Sequence, residues 1–67
     1  MRMCRVQSEP RIVCEYWCND GTEPPAWVPS TTPTIPGYSG LYYIVKHNTR
    51  PVCFVLTEAE FNAVFSI

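Results

Sequence analysis

One histidine, His47, and one aspartate, Asp20, are the whole supply of those residues in this 67-residue chain. A Ser–His–Asp or Cys–His constellation cannot be argued from so few, because the base must itself be oriented by a third group. Glycine is scarce as well. Gly21, Gly37 and Gly40 each stand beside a turn signal, and there is no G-x-G-x-x-G, no P-loop and no H-E-x-x-H. An excess of either charge is missing, with 5 basic residues against 6 acidic ones and a formal net charge of −1. Recognition of nucleic acid rests on many Lys/Arg–phosphate contacts. The one local excess, Arg2, Arg5 and Arg11, is diluted by Glu9 and Glu15, so nucleic acid is disfavoured as a partner. A mimic of DNA would need a denser acidic face than six carboxylates supply.

The stretch from Met1 to Pro10 carries no apolar core of the secretory type. One uncharged run, from Pro24 to Val45, reaches membrane length. Pro24, Pro25, Pro29, Pro33 and Pro36 interrupt it, so it cannot hold the backbone bonds of a spanning helix. The expectation is a cytoplasmic protein that does not enter a membrane.

What is present is a small, hydrophobic, proline-rich and cysteine-rich chain. Its 7.7 kDa and 46 % hydrophobic content fit one small domain. A domain of this size hides only about 60 % of the surface of its unfolded chain. It leaves little room for a pocket that encloses a substrate. An enzyme is therefore not expected.

Cys4, Cys14, Cys18 and Cys53 are separated by nine, three and thirty-four residues. Zinc modules usually show tight C-x2-C knuckles with a second pair nearby, which this spacing does not match. On a single strand Cys14 and Cys18 would stand about 13 Å apart, too far for one metal or one disulfide. If a first hairpin turns about Glu9, Cys4 faces Cys14 directly. Reduced, packed thiols are the leading expectation for a chain without a secretory signal, followed by a disulfide and then by zinc. Any metal site would draw on Cys4, Cys14, Cys18, Cys53 and His47, and no cofactor is otherwise implied.

The residues divide into four stretches. Residues 1–18 form a first hairpin, with Met3 to Val6 and Arg11 to Cys18 as strands around Ser8-Glu9-Pro10. Residues 19–40 form a long proline-rich loop after Asn19-Asp20-Gly21. Residues 41–56 form a second hairpin, in which Leu41 to Val45 and Val52 to Leu56 flank Asn48-Thr49-Arg50-Pro51. Residues 57–66 form a helix. Thr57 as N-cap with Glu60 three residues on is the capping-box spacing, Leu56 and Phe61 make a hydrophobic staple, and Phe61, Val64 and Phe65 give one apolar stripe. The fold class is α+β, a small antiparallel sheet of two β-hairpins with one short C-terminal helix packed on it (ββ-loop-ββα).

Neither strand of the second hairpin alternates cleanly, so both faces of the sheet are expected to be apolar. The helix would cover one face. Trp27, Val28 and Ile35 would fold back over the other, or the loop would present Trp27 and Tyr38 to a partner as aromatic anchors. The function expected is a small protein-binding module that contacts a partner through Tyr16, Trp17, Trp27, Tyr38, Tyr42 and Tyr43. Very small proteins without a catalytic constellation are often accessory or inhibitory proteins of viruses and mobile elements, which block a host protein by occupying its surface. The alternatives are a Cys-ligated zinc module and a protein that self-associates, as a homodimer for example, through unpaired sheet edges.

Overall fold

A computed structural model describes residues 1–29 and 35–67. The described elements run β1 (Met3–Val6), β2 (Glu9–Cys18), β3 (Tyr42–Lys46), β4 (Cys53–Thr57), α1 (Glu58–Val64) and β5 (Phe65–Ser66). The five strands form one curled antiparallel sheet in the order β4-β3-β2-β1-β5. The ten-residue β2 holds it together. Its first part pairs with β1, and Tyr16, Trp17 and Cys18 pair with Val45, Ile44 and Tyr43 of β3.

The first hairpin turns at Gln7 and Ser8, not at Ser8-Glu9-Pro10, and Val6 pairs with Glu9. The register then shifts between Arg5 and Val6, so that Arg5 faces Val13 and Cys4 faces Cys14. The shift puts extra residues on the β2 side, a bulge that bends the strand. It is also the reason a tight turn ending at Glu9 and the Cys4–Cys14 pairing are compatible.

Side-chain alternation in β2, β3 and β4 distributes the core over two faces. On the helix side, Cys4, Cys14, Tyr16, Val45 and Phe61 form one buried cluster, joined by Tyr43, Leu56 and Phe65. On the other side, Trp17, Ile44 and Val28 form a second, with Trp27, Tyr42, Cys53 and Val55 packed against it. Val28 belongs to the proline-rich segment, so part of that segment does cover the sheet's second face. Residues 30–34, including Pro33, lie outside the described residues, and the expected course of the loop there is not part of the structure.

The helix is shorter than the expected 57–66. Thr57 caps it, with both halves of the capping box formed: the Thr57 hydroxyl accepts from the Glu60 N–H at 3.2 Å, and Glu60 Oε1 accepts from the Thr57 N–H at 2.9 Å. The helix ends at Val64 because Phe65 turns extended, and Phe65 and Ser66 pair with Val6 and Arg5 as a fifth strand. The expected apolar stripe is therefore not a helical one. Phe61 is the buried residue of α1, Val64 is exposed, and Phe65 reaches the core from a strand.

Candidate functional site

Seven residues of helix, about 10 Å long, cannot roof one face of a five-stranded sheet. Phe61 fills the part nearest α1, with Tyr43 stacked on it at 4.0 Å between ring centroids and Tyr16 at 5.3 Å. Beyond Phe65 the same face lies open. There Val6, Ile12, Cys14, Val45, Phe54 and Phe65 line an apolar groove of about 360 Å³, closed at one end by the turn His47-Asn48-Thr49. Ile12 is 40 % and Phe54 48 % exposed. The turn is built to be rigid. His47 Nδ1 accepts from the backbone N–H groups of Thr49 and Arg50, both at 3.1 Å, and Asn48 Nδ2 donates to the Val13 carbonyl at 2.8 Å.

A second groove, of about 300 Å³, lies on the proline-rich side between Trp27, Pro29 and the Lys46–Cys53 connection. Its floor is apolar, and Lys46 and Arg50 stand among its lining residues. The Trp27 indole N–H is buried there without a hydrogen-bond partner among the described residues.

The aromatic residues singled out from the sequence do not converge on either groove. Tyr16 and Trp17 are buried, the first in the helix-side cluster and the second opposite it, where its indole N–H donates to the Thr22 carbonyl at 3.1 Å. Tyr42 and Tyr43 are half-buried on opposite faces, Tyr42 meeting Trp17 edge-on and Tyr43 stacking on Phe61. Trp27 is half-buried at the rim of the second groove. Tyr38 is exposed, but its hydroxyl donates to the nearby Leu41 carbonyl at 2.6 Å and so ties down its own loop. The open groove is instead made by Ile12 and Phe54, residues for which composition gave no separate signal. A helix too short for the sheet beneath it was the available clue.

The cysteines are free thiols. Cys4 and Cys14 face each other, and the Cys4 Sγ–H donates to the Cys14 carbonyl at 3.5 Å. Burial pushes the Cys4 thiol up to about 11, with the neighbouring Cys14 adding to the rise. Burial, then the charge of Asp20, also raises Cys18. A thiol held protonated is a poor nucleophile and a poor metal ligand. Cys14 and Cys18 share β2, whereas His47 packs beside Phe54 on the helix-side face and Cys53 lies on the other. Among the described residues no three His, Cys, Asp or Glu side chains gather as a metal would require, and none of the helices could cross a membrane.

At the surface, Asp20 ties the end of β2 together. It bonds Thr22 through Oδ1 and Arg2 through Oδ2 at 3.0 Å, contacts that hold its carboxyl below the usual range, Thr22 contributing most. Gly21 in the same turn has φ +97°, a left-handed conformation that suits glycine. Compared with protein-family models, curated proteins and solved structures, the chain has no match in any of the three.

Proposed function

We propose that the protein is a small, non-enzymatic protein-binding module that docks a partner in the open groove on the helix side of its sheet. The observation that carries this reading is the pair Ile12 and Phe54, large apolar side chains left 40 % and 48 % exposed on either side of an apolar groove of about 360 Å³. Water-exposed apolar surface gathered in one concavity marks interaction sites more often than single exposed residues do. The rigid turn at His47 fits a preformed site, which loses little entropy on binding.

Action by surface occupation suits this geometry, since a partner seated in the groove is covered, not transformed. An accessory or inhibitory role, of the kind small viral and mobile-element proteins play against host proteins, is the functional class we assign to it. Free thiols at all four cysteines accord with a reducing, cytoplasmic setting. Trp27 and Tyr38 offer a second, weaker contact from the proline-rich segment.

The test is affinity capture from the native cytoplasm with wild-type, Ile12→Asp and Trp27→Ala/Tyr38→Ala proteins, each checked for folding by circular dichroism. Ile12→Asp is expected to lose the partner while staying folded, and the loop double variant to retain most of it. A folded Ile12→Asp protein that captures the same partner as wild type would sink the groove reading.

A further inference from the structure

Strand β4 lies at one end of the sheet order, with no strand beyond it among the described residues. Which of its backbone groups are free follows from the β3–β4 ladder. His47 N–H donates to the Val52 carbonyl at 3.0 Å, and Val45 and Tyr43 face Phe54 and Leu56. Residues 52, 54 and 56 therefore turn their backbone groups to β3, and Cys53, Val55 and Thr57 turn theirs outward. Thr57 is already committed: Glu60 Oε1 takes its N–H, and its carbonyl opens the helix as N-cap. Cys53 and Val55 remain, two successive outward residues with unpaired N–H and C=O groups among the described residues.

Soluble proteins blunt such an edge with lysine, proline, an inward charge or a bulge. Nothing of the kind occurs from Val52 to Thr57, which are all uncharged. At the opposite end of the sheet, β5 is only two residues long and covers β1 at Arg5 and Val6.

We propose that β4 pairs antiparallel with β4 of a second copy of this chain, about a two-fold axis at Phe54. The inference goes beyond the groove reading and does not depend on it. The register follows from the free groups. Centred on Phe54, Cys53 of each copy faces Val55 of the other, and each pair exchanges both its hydrogen bonds. Centred on Val55, Cys53 would meet Thr57, whose groups are taken. Centred on Cys53, Val55 would meet Pro51, which has no N–H.

The chosen register also sets the side chains well. Phe54, 48 % exposed, meets its own copy across a non-hydrogen-bonded position, where side chains approach most closely. By the same count Arg50, in the turn before β4, lies on the side of Glu58, the first residue of α1 of the second copy, and both are exposed. A basic residue of the turn ahead of β4 thus comes toward the acidic start of α1, twice by symmetry. A parallel partner would set like charges together. The contact is a single strand edge with two outward residues, well short of the roughly 800 Å² per partner of a standard stable complex, so association is expected to be weak and to appear only at high protein concentration.

Sedimentation equilibrium of the full chain over a wide concentration range tests the proposal. The mass is expected to rise from 7.7 kDa to twice that and to stop there. Val55→Pro deletes an outward N–H without touching the β3 ladder and should weaken association by about tenfold. Arg50→Glu should weaken it several-fold, and Arg50→Glu with Glu58→Arg should restore it. Ile12→Asp, at the far side of the groove, should leave the mass unchanged, which separates failure here from failure of the groove reading. A single-chain mass at millimolar concentration overturns the proposal. So does a dimer that ignores Val55→Pro and the charge exchange, or one that Ile12→Asp disperses.

Discussion

Cys4 shows how one buried side chain can write itself into the stability of so small a protein. It is 1 % exposed, faces Cys14 across β1 and β2, and holds its proton up to about 11 against an ordinary 9.0. The folded state thus binds that proton more tightly than the unfolded state does. Its contribution is complete below pH 9.0 and is lost as the pH climbs toward about 11. Cys18 and Tyr43, both raised first by burial, act in the same direction. Thermal melts between these two pH values should show stability falling, and Cys4→Ala should make the fall shallower even though it lowers stability overall. An unchanged slope in that variant would mean the Cys4 thiol is not held protonated by the fold. The Cys4–Cys14 opposition was expected from a turn about Glu9; the turn lies at Gln7 and Ser8 instead, and the pairing comes from the register shift between Arg5 and Val6, which spacing does not foretell. The half-buried state of Cys53 was not legible either, since it depends on which part of the proline-rich segment lies over β4.

Among the elements, α1 is the most local in its signals and the least local in its support. Thr57 and Glu60 announce its start within four residues, and the capping box they predict is formed. Its end is set from across the molecule. The side chain of Gln7, in the first hairpin's turn, donates to the Asn62 carbonyl at 2.6 Å and the Phe65 carbonyl at 2.8 Å, and the Gln7 N–H donates to the Val64 carbonyl. Those bonds satisfy carbonyls that a short helix otherwise leaves to solvent. No pattern near residue 64 foretells them, which is why apolar periodicity carried the expected helix on through Phe65 into what is β5. Thr57→Ala should cost about 1 kcal/mol by loosening the start. Gln7→Ala should cost about as much at the other end. Urea midpoints measure both, and a Gln7→Ala midpoint equal to wild type would show that the clip adds nothing.

At the scale of the whole molecule, β2 makes one unit of what the sequence suggests as two hairpins. It pairs with β1 over Met3–Arg5 and with β3 over Tyr43–Val45, so neither hairpin can open without exposing part of the other's ladder. The two tryptophans both belong to the proline-rich face, whereas Phe61 and its ring neighbours belong to the helix face. Unfolding followed by tryptophan fluorescence should therefore coincide with unfolding followed by far-ultraviolet dichroism. Separate transitions would show that the faces come apart independently. The α+β class could be read from the strand runs together with the Thr57–Glu60 helix start, and the two-sided sheet from Tyr42-Tyr43-Ile44-Val45, where strict alternation fails. The curl and the strand order could not, because they depend on the β2 bulge and on pairings between residues far apart in the chain.

That run has a consequence for how the chain can change. Ile44 and its neighbour Val45 are 0 % and 1 % exposed although they point to opposite sides of the sheet, and Tyr42 and Tyr43 flank them half-buried. Strand β3 has no solvent side on which drift is free. A saturation library selected for folding should return residues 42–45 as an unbroken block of intolerance, while Arg11 and Ile12 of the neighbouring strand vary. Sequences that keep this fold would then lack the polar–apolar alternation by which antiparallel strands are ordinarily recognised, and would hide their kinship from any comparison that relies on it.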